Sequence, residues 1–161
     1  MPDEPHWSQG MAMPVLLAQA RIAYTSEIRS ALAEAGFDDM PRAGARVIGR
    51  IAVGGTSVND VAAVYGVSKQ AASQLVDALV ARGYVERVPD EEDRRRMLVG
   101  LTERGLAAAA ELRDAIARID DALAEAFEEE EIFRAKRVIG TLVEHHYRAL
   151  DGPAGGPEPG A

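Results

Sequence analysis

Cysteine is absent from this 161-residue chain, which excludes disulfides, thiolate nucleophiles, cysteine-based zinc sites and thiol redox sensing. Aromatic residues are scarce at 5%, so a core must be assembled from Ala, Leu, Val and Ile, and that favours close helix packing. No apolar run approaches the ~20 residues of a membrane span. The opening MPDEPHWSQGMAMPVLLAQA places acids where a secretion signal needs a basic start. A soluble, cytoplasmic protein with no membrane partner is the expectation.

Net positive charge is also missing. Twenty-six acidic residues against 18 basic ones leave -8, a balance that at first sight argues against a polyanionic partner. The average conceals a local exception. Residues 66–96 hold six basic and six acidic side chains, so this segment is neutral and the rest of the chain carries the whole deficit. Its densest positive run, Arg94 to Arg96, lies directly against four acids, Asp90 to Asp93.

What is present is globular composition, 47% apolar and 27% charged, at a length that suits one domain. Residues 1–13 and 151–161, rich in Pro and Gly, read as disordered ends around a single domain at 14–150. From Pro14 an apolar series through Val15, Leu16, Ile22, Ile28 and Leu32 predicts a long helix ended by Gly36. A second helix follows Pro41 with Ala45, Val47, Ile48 and Ile51 inward, stopping at Gly54-Gly55. Ser57 caps a short third helix that turns Val58, Val61, Ala62 and Tyr65 inward and that Gly66 stops, and Ser68 caps a fourth with Ala72, Leu75, Val76 and Leu79 on one stripe, ended by Gly83. The period then changes from 3.6 to 2. Residues 84–88 and 96–101 read as two strands around the turn-prone PDEED. Thr102 caps a long helix with Leu112, Ile116, Ile119, Leu123 and Phe127 inward, and a last helix from about Glu129 to Leu150 carries Ile132, Val138, Ile139, Leu142, Val143 and Tyr147. The fold class is mainly α with a small β-hairpin.

Two short helices joined by Tyr65-Gly66-Val67-Ser68 fit helix-turn-helix geometry. With the apolar stripe of the second one buried, its opposite face shows Lys69, Gln70, Ser73 and Gln74 in the first two turns, next to Ser68. Gln pairs bidentately with adenine, Ser with several base edges, and Lys with guanine or phosphate. An ordinary solvated polar face competes with that reading. The hairpin behind it forms a wing whose tip arginines, Arg94 and Arg95, reach a minor groove or its phosphates, with Asp93 orienting Arg94. A self-neutralising solvated loop is the competing reading there.

Sharper enzymatic motifs fail. Tyr65 to Lys69 has the Tyr-x-x-x-Lys spacing of short-chain dehydrogenases, but no Gly-rich phosphate loop follows an early strand. His145 and His146 point about 100° apart on a helix and do not easily share one metal ion. No catalytic, cofactor or metal site is expected, and the chain is not expected to be an enzyme.

The stretch Val58–Gly105 closely resembles the MarR family of bacterial transcription regulators. Its pattern D-R-R-x-x-x-V-x-L-T-x-x-G is met by Asp93, Arg94, Arg95, Val99, Leu101, Thr102 and Gly105, and LVDALVARGYVER matches the end of the family's recognition helix and its first wing strand. Glu91 departs from the Pro that many relatives carry in the wing turn. The resemblance implies a winged helix-turn-helix lobe at about 41–101 and dimerisation helices at 14–36 and 102–150. It further implies a homodimer on a pseudo-palindromic operator in double-stranded DNA, a repressor or other regulator released when a small organic ligand enters the cleft between the dimer helices and the lobe. A winged-helix protein-interaction module without DNA binding is the alternative.

Overall fold

A computed structural model describes residues 6–54, 56–90 and 97–151, with side chains described as far as His146. Among them are six helices and one hairpin: α1 (Met13–Glu34), α2 (Gly44–Val53), α3 (Val58–Tyr65), α4 (Lys69–Ala81), β1 (Val85–Pro89), β2 (Met97–Leu101), α5 (Glu103–Ala126) and α6 (Glu129–Asp151). This is the expected order. A single 3-10 turn, Trp7–Gly10, precedes α1 in a segment where the apolar pattern predicts no element. No described helix is long and apolar enough to cross a membrane.

Local chemistry explains the boundaries. At the start of α3, Ser57 and Asp60 form a reciprocal capping box: the Ser57 hydroxyl accepts from the Asp60 N–H, and the Asp60 carboxylate accepts from the Ser57 N–H at 2.8 Å. At the end of α4, Gly83 takes φ 72°. There the Tyr84 N–H reaches back to the Leu79 carbonyl and the Gly83 N–H to Val80, which turns the chain sharply out of the helix. The second helix begins at Gly44 rather than directly after Pro41, because Pro41 spends its carbonyl on a turn to the Gly44 N–H at 2.7 Å.

The strands pair antiparallel from Val85↔Leu101 to Pro89↔Met97, and Thr56 adds an isolated bridge to Val99 on the far side of β2. Pro89 sits at the open end of the ladder, where its missing N–H costs no interior bond. One core runs through all these elements: Leu32, Val47, Ile48, Ile51, Val61, Ala72, Val76, Leu79, Tyr84, Val85, Val99 and Ala108. The inward stripes predicted for α2, α3 and α4 point into it.

The long helices differ from their predicted inward series. Only Ala31 and Leu32 of α1 are buried, and α5 buries Ala108, Ala109, Leu112 and Ala115 near its N-terminal half. Val15 and Ile22 on α1, Ile116, Leu123 and Phe127 towards the end of α5, and Val138, Ile139, Leu142 and Val143 on α6 are exposed. Phe127 retains 53% of its surface and Leu142 52%. The reason is geometric: the small lobe covers one end of the long helices, and where α1 packs on α5 and α5 meets α6 these apolar positions are still left exposed.

Candidate nucleic-acid interface

The turn between α3 and α4 is built by Gly66, whose φ of 61° lies in the left-handed region. The Val67 N–H bonds the Ala62 carbonyl and the Gly66 N–H bonds Ala63, so α3 ends tightly and α4 starts four residues after Tyr65. Ser68 caps α4 by accepting the Ala71 N–H at 3.1 Å. Its hydroxyl therefore has a structural partner already.

Behind that cap, Ala72, Val76 and Leu79 are buried, while Lys69, Gln70 and Gln74 are exposed and Ser73 is half-buried. The predicted polar face is thus presented outward over the first two turns. Ser73 is less free than the other three, because its hydroxyl lies 3.4 Å from the Asp77 carboxylate one turn on. The other Asp77 oxygen accepts from Arg87 Nη2 on β1 at 2.6 Å. An exposed pair of this kind is worth only ~0–1 kcal/mol. Its effect is positional, for it ties the root of the hairpin to the outward face of α4. Three predicted site residues, Asp93, Arg94 and Arg95, lie outside the described residues, as do Glu91 and Arg96.

A second polar cluster joins the lobe to the long helices, and the sequence reading missed it. Tyr84 is fully buried, yet its hydroxyl donates to Asp39 Oδ1 at 2.6 Å. Arg104 on α5 grips the same carboxylate with both terminal nitrogens, at 2.9 and 3.3 Å, lies 4.3 Å over the Tyr84 ring, and donates to the carbonyl of Arg82 at the end of α4. The Tyr84 hydrogen bond, with Arg104 beside it, holds the Asp39 carboxyl below its usual range. Burial and the bond to Asp39 push the Tyr84 phenol up to about 12. Nothing in local periodicity signals the cluster, since its members lie as far as 65 residues apart.

Thr102 and Gly105 have purely structural reasons to be what they are. The Thr102 hydroxyl receives the Gly105 N–H and itself points at the Gly83 and Tyr84 carbonyls. A Cβ on Gly105 would stand 2.0 Å from the Tyr84 carbonyl oxygen. Where α1 meets the segment leading into α2, an open cleft of about 280 Å³ is lined by Arg29, Leu32, Phe37, Met40, Arg42 and Ala45.

Comparison with known proteins agrees with this geometry. Residues 38–96 match the model of the MarR family. The fold superposes on a crystal structure of MarR with TM-score 0.71 at 23% identity, covering 90% of this chain and 97% of that one. It superposes on the transcriptional repressor CouR, solved on a 23-mer DNA duplex, with TM-score 0.66 at 20% identity and coverage of 87% and 98%. Staphylococcus aureus MepR bound to ethidium bromide gives 0.58 at 18% identity, with 86% and 99% covered. Curated proteins gave no sequence match. Residues 38–96 thus carry a match to the MarR family, and the capped helix-turn-helix with the hairpin paired behind it gives the chain the winged-helix fold of these structures.

Proposed function

We propose that this protein is a non-enzymatic, sequence-specific DNA-binding regulator of transcription, a repressor that works as a homodimer in the cytoplasm. The observation that carries the reading is the outward display of Lys69, Gln70 and Gln74 on the first two turns of α4, opposite a fully buried stripe. A helix of that kind fits the major groove, where two glutamines read adenine edges and the lysine takes guanine or phosphate. Arg94 and Arg95 at the wing tip extend the contact to a minor groove or its phosphates, with Asp93 holding Arg94 in position. The DNA-bound state of CouR supports the same use of the fold here.

The bare apolar faces of α1, α5 and α6 support a second copy of the chain as their cover. In such a dimer the separation of the two α4 helices fixes which half-site spacing is bound. The cleft between α1 and α2 offers apolar walls from Leu32, Phe37 and Met40 with Arg29, Arg42 and Asp38 at its margin, suited to a small amphipathic organic ligand. A ligand preferring a dimer with differently spaced α4 helices lowers DNA affinity by that preference, and by linkage DNA lowers the ligand's affinity equally.

Selection of duplexes from a random pool by the purified protein tests the reading. An enriched pseudo-palindrome is expected. Gln70→Ala and Gln74→Ala should each cost roughly 1–3 kcal/mol on it and relax one base position per half-site. If both variants enrich the unchanged motif, α4 does not read bases as proposed.

A further inference from the structure

We infer that Arg46, seated on the Tyr65 ring, and Arg50 one turn further along α2 form an additional phosphate-contacting surface for the same DNA, outside the recognition helix and the wing. The inference rests on the DNA-binding reading above and extends its footprint to a helix that reading does not use. Residues 40–59 contain three arginines and no Asp or Glu, in a chain whose net charge is -8. Arg46 and Arg50 are one helical turn apart, on the side of α2 away from buried Val47, Ile48 and Ile51. Among the described residues neither guanidinium has a carboxylate partner.

Arg46 is nevertheless placed. The Arg46 guanidinium lies 4.8 Å over the Tyr65 ring, and the Tyr65 hydroxyl donates to the Arg46 backbone carbonyl at 2.8 Å. That bond fixes the ring, and the ring seats the guanidinium, whose N–H groups have no acceptor among the described residues and can turn to an anion. Arg50 acts on the same phenol: the charges of Arg46 and Arg50 both pull against the upward push that burial gives it. A cation already ordered on an aromatic face loses less side-chain entropy when it meets a phosphate.

Position selects the partner. Tyr65 closes α3, and Lys69 opens α4 four residues later. At ~3.3–3.6 Å per extended residue, these are at most about 14 Å apart. The major groove is ~12 Å wide and bordered by phosphates. A helix α4 entering the groove by its N-terminus therefore brings the Tyr65 end of α3, with its two arginines, to the phosphodiester backbone at the groove's edge.

The test is a titration of the selected duplex across a series of salt concentrations with Arg46→Gln, Arg50→Gln, the double variant and Arg46→Lys. Each lost phosphate contact should lower the magnitude of the log K against log salt slope by about 0.9, hence by about 1.8 per dimer for one substitution. The selected motif should stay the same, Arg46→Lys should keep most of the slope, and thermal melts should change little, because Arg46 is exposed and Arg50 only half-buried. A double variant with the wild-type slope overturns the inference, as does a changed motif, which would mean base contact instead. Stabilisation of the wild type over the double variant by inorganic phosphate at constant ionic strength, with the slope unaltered, also overturns it and leaves a free-anion site. Failure of the wild-type protein to retain any duplex sinks the DNA reading itself and is seen before any variant is made.

Discussion

Gly105→Ala is the most direct challenge to the packing between hairpin and α5. In an isolated helix this change gains ~1 kcal/mol, because alanine restricts the unfolded chain and is the best helix former. Here the added methyl would lie 2.0 Å from the Tyr84 carbonyl oxygen, 3.1 Å from its carbon and 3.2 Å from Leu101 Cδ2. The two nearest atoms are backbone. They cannot swing away without loosening the Thr102 N–H and hydroxyl bonds to that same carbonyl, at 3.2 and 3.1 Å. Overpacking costs ~1–3 kcal/mol and two weakened hydrogen bonds about 1 kcal/mol each, so after the propensity gain the net loss should be about 2–4 kcal/mol. For a chain of this size that is a fall in Tm of roughly 4–16 °C. Thermal and urea unfolding followed by circular dichroism, at one fixed protein concentration, would measure it. Gly140→Ala on α6 is the internal control: among the described residues nothing beyond its own stretch of helix lies within 4 Å of its added methyl, and it should stabilise by ~0.5–1 kcal/mol. Equal stability of Gly105→Ala and wild type would refute the close approach, and a loss at Gly140 would mean that another surface covers α6 there.

Tyr84→Phe should flatten the alkaline limb of the stability profile. The phenol is raised to about 12 in the folded chain from its ordinary 10.0, so its contribution is complete below pH 10 and is lost as pH rises towards 12; an unchanged alkaline limb counts against the buried bond to Asp39. Asp39→Asn should remove the acid limb that this carboxyl contributes, since a lowered carboxylate stabilises above its unfolded value and loses that effect as pH falls through the folded one; urea titrations between neutral pH and pH 3 would show it. Ser57→Ala should cost about 1 kcal/mol by opening the capping box of α3, measured as a lower urea midpoint at constant m value. Removing residues 129–161 should give aggregate or unfolded chain, and a well-folded monomer by light scattering and circular dichroism would argue against a dimer built on α1, α5 and α6.

Elements whose signals are local were legible in the sequence. Ser57, Ser68 and Thr102 announce helix starts by side-chain oxygen, and Gly66 and Gly83 announce stops by tolerating positive φ. The outward face of α4 followed from the 3.6-residue stripe of Ala72, Val76 and Leu79. The Asp39–Tyr84–Arg104 cluster did not, because only the folded chain assembles a carboxylate after α1, a phenol before β1 and a guanidinium on α5. The aromatic seat of Arg46 was hidden likewise, as Tyr65 read simply as a core residue of α3 while its ring also supports a cation from α2. The series on α1, α5 and α6 was correctly apolar, but periodicity names the face of a helix and not the molecule that covers it.

Arg104 ties together parts of the molecule that would otherwise open separately. One guanidinium holds the last turn of α4 through the Arg82 carbonyl, the segment before α2 through Asp39, and the first turn of α5 by its own backbone. Local fluctuations that expose amide protons to solvent need such joints to yield first. The end of α4, the base of the hairpin and the start of the long helix should therefore exchange their hydrogens at one common rate, as a single cooperative unit, and motion of the long helices would reach α4 as a displaced rigid block rather than as a bent one.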